Sequence, residues 1–266
     1  MSVRSHGEIF RMPAFLLLAV AGLARAQDPF EIHVYQYESL APGRFTLEQH
    51  LNYVGIGTKM FRGTVAPANG QFHMTYELTG AITENTSFGV MLLSAVRPGG
   101  SGLEYAGWRF LPHLYAPKTW NLPLDLGFVA EFSFQEKAFE ENSRRVELRP
   151  IVEKSLGNVR VTVNPVFERA LKGPGVREGW GFEPALRVGY QGFEHFVPSL
   201  EYYSALGPLR GFAHADEQIH QIYSGGDLKL SKNLVWNLGI GVGLTPAGDR
   251  LVLKSRVEFE FGRKEP

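Results

Sequence analysis

The eight histidines are the residues of this chain best suited to carry chemistry, and their spacing argues against it. There is no His-Glu-x-x-His pair, so no helix turns two imidazoles and a general base toward one zinc ion. There is no Gly-x-Ser-x-Gly turn to expose a nucleophilic serine. A membrane barrel that hydrolyses lipid needs a Ser–His pair near its outer rim. His73 and His220 lie in strand-like runs, but neither sits in a hydrolase motif. Gly99-Gly100-Ser101-Gly102 lacks the strand and helix that make a glycine-rich loop a phosphate cradle. The chain has no cysteine, hence no disulfide framework and no thiolate metal site. The expectation is a protein that is not an enzyme, with no catalytic, cofactor-binding or metal residues and no cofactor.

A second constellation concerns charge. Pro150, Pro165, Pro184 and Pro198 fall in successive stretches, and each is followed three residues later by a charge, at Glu153, Glu168, Arg187 and Glu201. In a strand those charges lie on the face opposite the proline, as do Arg149, Asn164 and Glu183 just before it. Antiparallel interleaving predicts two levels of charge. One holds Arg149, Glu168, Glu183 and Glu201; the other holds Glu153, Asn164 and Arg187. Opposite charges on adjacent strands then pair as a network on an inner wall. Proline donates nothing to a sheet ladder, so the four prolines are read first as bulges that curve the wall. The alternative is a weakened wall through which an apolar solute leaves sideways.

The elements that position these residues are long alternating runs. From Asn233 to Phe261, Leu234, Trp236, Leu238, Ile240, Val242 and Leu244 are spaced by two. After Pro246-Ala247-Gly248-Asp249 the alternation resumes with Leu251, Leu253, Ser255, Val257, Phe259 and Phe261. The other parity carries Lys254, Arg256, Glu258 and Glu260. Period two means two different surroundings, and runs of about 11 residues match a tilted strand crossing a bilayer. Similar runs begin near Arg44, Gln71, Thr86, Leu103, Leu122, Arg144, Asn158, Gly179, Phe196 and Glu217, the last with a bulge expected at Gly225-Gly226. Aromatics collect near the run ends and aliphatics in the middle, as in the girdles of a membrane barrel.

The fold expected is therefore all-β, a single antiparallel up-and-down transmembrane β-barrel of about 12 strands. Residues 1–26 read as a signal peptide, cleaved near Ala26. Residues 27–43 form a short strand or plug near the periplasmic mouth, 44–261 the barrel and 262–266 a short tail. The inward parity makes Glu48, His50, Asn52, His73, Glu77 and Glu131 lumen-lining residues of a solute pathway. Arg149, Glu153, Asn164, Glu168, Glu183, Arg187, Glu201, Lys254, Arg256 and Glu258 complete that set. The chain carries 27 basic and 27 acidic residues, a balance that excludes the basic excess of a nucleic-acid binder.

Gln221-Ile222-Tyr223 and the run Gly226-Asp227-Leu228-Lys229-Leu230-Ser231-Lys232-Asn233-Leu234, with the final hairpin, resemble bacterial outer-membrane barrels of the phenol-degradation-pathway type, a group of porin-like transporters. Pro29-Phe30-Glu31-Ile32 and Glu183-Pro184-Ala185-Leu186-Arg187 add to the likeness. Many such barrels end on an aromatic residue, whereas here Gly262 to Pro266 follow Phe261. The resemblance and the pattern together imply an outer-membrane channel or passive transporter for small solutes, with outer-membrane lipid as its surroundings. Its polar lumen would be gated by Thr58–Gly70 and Gly207–Asp216. A structural or interaction barrel with a filled lumen is the alternative, and a lipid-modifying enzyme a third. The solute, the ion selectivity and the oligomeric state are not encoded in the pattern.

Overall fold

The computed structural model describes residues 28–263. The signal peptide assigned to Met1–Ala26, and the tail beyond Arg263, lie outside the described residues. Twelve antiparallel strands form one ring: β1 Arg44–Ile56, β2 Phe72–Thr83, β3 Thr86–Val96, β4 Leu103–Tyr115, β5 Asp125–Gln135 and β6 Arg144–Leu156. β7 is broken into Val159–Asn164 and Phe167–Lys172, and β8 into Trp180–Phe182 and Ala185–Tyr190. β9 Phe196–Ala205, β10 Ile219–Ser231, β11 Leu234–Gly243 and β12 Leu251–Gly262 complete it, with Gly207–Pro208 continuing the line of β9. Each strand pairs with the next, and β12 returns to β1 from Arg44↔Gly262 to Ile56↔Leu251. Closure leaves no free edge, which is the condition for a sheet to meet lipid with every ladder group paired.

The side chains sort by parity. Ile240 and Val242 are 57% and 50% exposed, while Arg187 and Arg256 are 2% and 6% exposed. Leu47, Leu78, Val90, Leu92 and Leu253 likewise face outward. Outward aromatics stack near the strand ends: Trp108 on Phe134 at 4.3 Å, Phe45 on Phe261 at 5.7 Å and Phe167 on Phe182 at 5.2 Å. On β11 the inward parity after Asn237 is glycine, and at Gly241 its neighbour fills the space: a Cβ there would stand 2.2 Å from the Tyr223 ring.

Two local expectations change. β5 starts at Asp125 rather than Leu122, since Pro123 has no N–H to give and a 3-10 turn at Lys118–Trp120 occupies the connection. Gly225 and Gly226 stay in register opposite Gly239 and Leu238, so the bulge expected there is absent; the register shifts instead between Lys229 and Ser231. The two glycines serve close strand approach, a Cβ on Gly225 falling 1.9 Å from the Leu238 carbonyl oxygen.

The prolines do not act alike. Pro165 and Pro184 stand in the breaks of β7 and β8, and the β6 partners of β7 skip Arg149, Pro150 and Ile151. A single backbone bond, Glu183 N–H to Val166 O at 2.9 Å, spans the gap between β7 and β8. Pro198 instead lies in unbroken β9, opposite Gly226.

Candidate channel lumen and its internal segment

The barrel encloses chain rather than open space. Residues 28–38 run through the interior without ladder pairing, from a turn at the long-loop end, where Glu31 N–H bonds Asp28 O at 3.2 Å, toward the short-turn end, and then lead into β1. Glu31, Ile32, Val34 and Tyr35 are all at most 5% exposed. Outside the gap among β6, β7 and β8 the wall strands spend their backbone groups on one another, so wall side chains must satisfy the internal backbone. Asn52 donates to the Pro29 carbonyl at 2.9 Å and Thr75 to that of Phe30 at 2.8 Å. Asn164 accepts from Tyr35 N–H at 2.7 Å and donates to its carbonyl at 2.9 Å.

Charge fixes the same segment. Arg109, 1% exposed, bonds Asp28 and lies 2.9 Å from Glu31 and 3.2 Å from Glu131. Arg145 reaches Asp28 at 3.1 Å and bonds Glu168. Arg149 reaches Glu31 at 3.1 Å and Glu147 at 2.8 Å. Three wall arginines thus hold two carboxylates of the internal segment. Buried charges persist only when paired and bonded in this way. A second group joins Arg187 to Asp227 at 2.5 Å, to Glu201 at 3.4 Å and to Gln36 at 2.8 Å, with Lys254 on Glu201 at 2.5 Å.

These pairings differ from the two levels read from the sequence. Arg149 pairs with Glu147 on its own strand and with Glu31, not with Glu168 or Glu201. Arg187 pairs with Glu201, not with Glu153, which accepts from the Thr162 hydroxyl at 2.8 Å. The proline breaks shift β7 and β8 against their neighbours, so levels counted from the prolines do not hold. Arg109, Arg145 and Glu147 are the residues the sequence reading missed. All three lie on the inward parity of their strands, so alternation could have found them. Asp28 and Glu31 belong to no strand of the ring, so the parity of the wall could not place them.

The other inward residues fall as follows. Glu48, His50, Asn52, His73, Glu77, Glu131, Glu153, Asn164, Glu168, Arg187, Glu201, Lys254 and Arg256 are buried inside the ring. Arg149, Glu183 and Glu258 are half-buried. The interior is not purely ionic. Phe30 and Tyr35 pack with Met91, Leu93, Leu111, Val129 and Ile151, and Ile32 and Val34 pack with Val54, Tyr203, Tyr223 and Val252. The internal segment therefore contributes apolar side chains to two small cores within the barrel.

Above Asp28 and Phe30 lies a vestibule of about 330 Å³. Its walls include Thr58, Arg62, Ala66, His73, Phe139, Asn142, Arg145, Glu168 and Asp249. The loop after β1 folds over it, with Ala66 N–H bonded to Ala138 O at 2.9 Å. Gly207–Asp216, expected to join Thr58–Gly70 at the mouth, contributes no lining residue there. Gly207–Pro208 pairs with Gly181 and Phe182, extending the wall instead.

No protein-family description matches the chain, and no curated protein matches it. Solved structures do. The COG4313 outer membrane channel from Pseudomonas putida F1 superposes with a TM-score of 0.61 at 12% identity, over 87% of this chain and 100% of that one. A KdgM porin superposes with a TM-score of 0.52 at 10% identity, over 82% and 99%. At such identities the likeness establishes architecture: this chain has the closed twelve-strand fold found among bacterial outer-membrane channels and porins.

Proposed function

We propose that the protein is an outer-membrane channel for small solutes, closed in this conformation by residues 28–38. The observation that carries the reading is the vestibule floored by Asp28 and Phe30. It is a mouth leading to a lumen whose obstruction is a tethered segment rather than the wall itself. The apolar outer face supports residence in lipid, and the architecture shared with channels and porins supports passive passage. The inward polar residues of β1, β2, β6 and β12 then line the path once the segment moves. The mixture of charge and apolar surface around the vestibule suits a small amphipathic solute better than a simple ion.

Single-channel conductance in planar bilayers tests this. In the wild type, Arg109 and Arg149 hold Glu31; in Glu31→Gln both keep other carboxylates, Asp28 and Glu131 for one, Glu147 for the other. A charged hydrogen bond contributes about 1.5–3 kcal/mol, so the open fraction should rise roughly tenfold or more. A folded, inserted protein that conducts in neither form would instead be a structural barrel with a filled interior.

A second reading, sideways exit of an apolar solute, is favoured by one observation: the wall ladder is interrupted at Pro150, Pro165 and Pro184. Its test is given in the Discussion.

A further inference from the structure

Away from the arginine cluster, β1 and β2 carry two carboxylates and an imidazole of which the wall pairs only Glu48 with a basic side chain, Arg256. Glu48 and Glu77 stand directly opposite one another across the strand pair, and His50 is the next inward residue of β1. All three are at most 8% exposed. Two carboxylates facing each other across a ladder repel, yet here one ligand atom from each of the three residues lies within 4.8 Å of the others. Glu77 has no ion-pair partner among the described residues; its Oε1 accepts only the Thr79 hydroxyl, at 2.7 Å. Glu48 shares Arg256 with Glu258, at 2.7 Å and 2.9 Å. His50, 1% exposed, has a buried Nε2 with no hydrogen-bond partner, aimed at Glu48 Oε2 from 3.4 Å. From the internal segment, the His33 ring faces His50 with centroids 6.2 Å apart, and neither of its buried ring nitrogens is hydrogen-bonded.

We propose that Glu48, His50 and Glu77 form a site for one divalent transition-metal cation of the zinc type, with His33 as the ligand that the internal segment contributes. Two imidazoles and two carboxylates are a donor set for zinc, whereas calcium takes six to eight oxygens. Tetrahedral bonds of about 2.1 Å place ligand atoms about 3.4 Å apart, so rotation of the Glu48 and Glu77 side chains closes the present spacing. Arg256 occupies Oε2 of Glu48 and leaves Oε1 for the ion. The cation would offset the buried carboxylate of Glu77, which makes no ion pair among the described residues. Because His33 belongs to residues 28–38, the ion would also clamp that segment to the wall; this consequence, unlike the site itself, rests on the channel reading above.

The test uses the full-length protein, refolded and stripped of metal in detergent, titrated with Zn²⁺ and in parallel with Ca²⁺. One Zn²⁺ per chain should bind saturably, Ca²⁺ at least a hundredfold more weakly, and Co²⁺ substitution should give the visible bands of a tetrahedral site. His50→Gln and Glu77→Gln should each weaken Zn²⁺ binding tenfold or more, and His33→Ala several-fold. Heat-modifiable migration on gels identifies the folded variants. His33→Ala alters only the internal segment and keeps the test open if a wall variant fails to assemble. Absence of saturable Zn²⁺ binding to the wild type overturns the proposal, as does binding that folded His50→Gln and His33→Ala leave unchanged. Conductance without zinc binding would refute the site and spare the channel. Zinc binding to a barrel that never conducts would do the reverse.

Discussion

The Asn164 side chain grips the Tyr35 backbone at both of its hydrogen-bonding groups, accepting at 2.7 Å and donating at 2.9 Å. Asn164 ends the first half of β7, next to the break at Pro165, so a discontinuity in the wall coincides with an anchor for the chain inside it. Asn164→Leu removes both bonds and leaves two buried backbone groups unsatisfied, at about 1–3 kcal/mol each. Amide exchange at Tyr35 should accelerate at least tenfold while exchange in β1 and β12 is unchanged. If Tyr35 stays as protected as in the wild type, the anchor lies elsewhere.

The outward parity meets hydrocarbon in this reading, so Ile240→Lys should weaken folding into bilayers by about 2–4 kcal/mol. Urea titration in phospholipid vesicles measures it. A neutral result would mean that β11 does not face lipid at mid-depth.

The gap among β6, β7 and β8 gives the prolines a role that can be separated from the main lumen. Pro165→Val with Pro184→Val restores two backbone donors where the ladder is broken. If solutes leave sideways, uptake of apolar solutes into vesicles should fall several-fold while conductance to small ions is retained. Equal apolar uptake by the folded double variant would rule out the lateral route.

Asp249 lies in the loop between β11 and β12, outside the spanning strands, and accepts the Thr58 N–H at 3.3 Å. Burial pushes its carboxyl above the usual range, opposed by that N–H and by the nearby Arg62 guanidinium. A carboxyl whose folded value is raised favours the folded loops fully below its unfolded value, and that contribution is lost as pH rises through the folded value. Amide exchange at Thr58 should therefore quicken as pH rises through the weakly acidic range, after correction for intrinsic exchange. Asp249→Asn, which keeps the acceptor without the charge, should flatten the profile. A wild-type profile with no such step would show that the carboxyl ionises freely.

The parity of side chains was legible in the sequence because a strand has no choice in the matter. Once Leu238, Ile240 and Val242 meet lipid, the alternate residues of that strand must turn inward, and the same holds for Lys254 and Arg256 on β12. Strand number and closure follow from the same repetition. What the sequence left undecided is what fills the ring. The run Glu31–Tyr37 alternates as a strand would, but its backbone joins no ladder, so the pattern alone does not tell an internal segment from a wall strand. The placement of residues 28–38 depends on Arg109, Arg145 and Arg149, which meet only when β4 and β6 curve round a common interior. The group of Glu48, His50, Glu77 and His33 escapes any motif for the same reason: its members are neighbours across strands and across the lumen. Local pattern sets which way each side chain points; only closure of the barrel decides which of them meet.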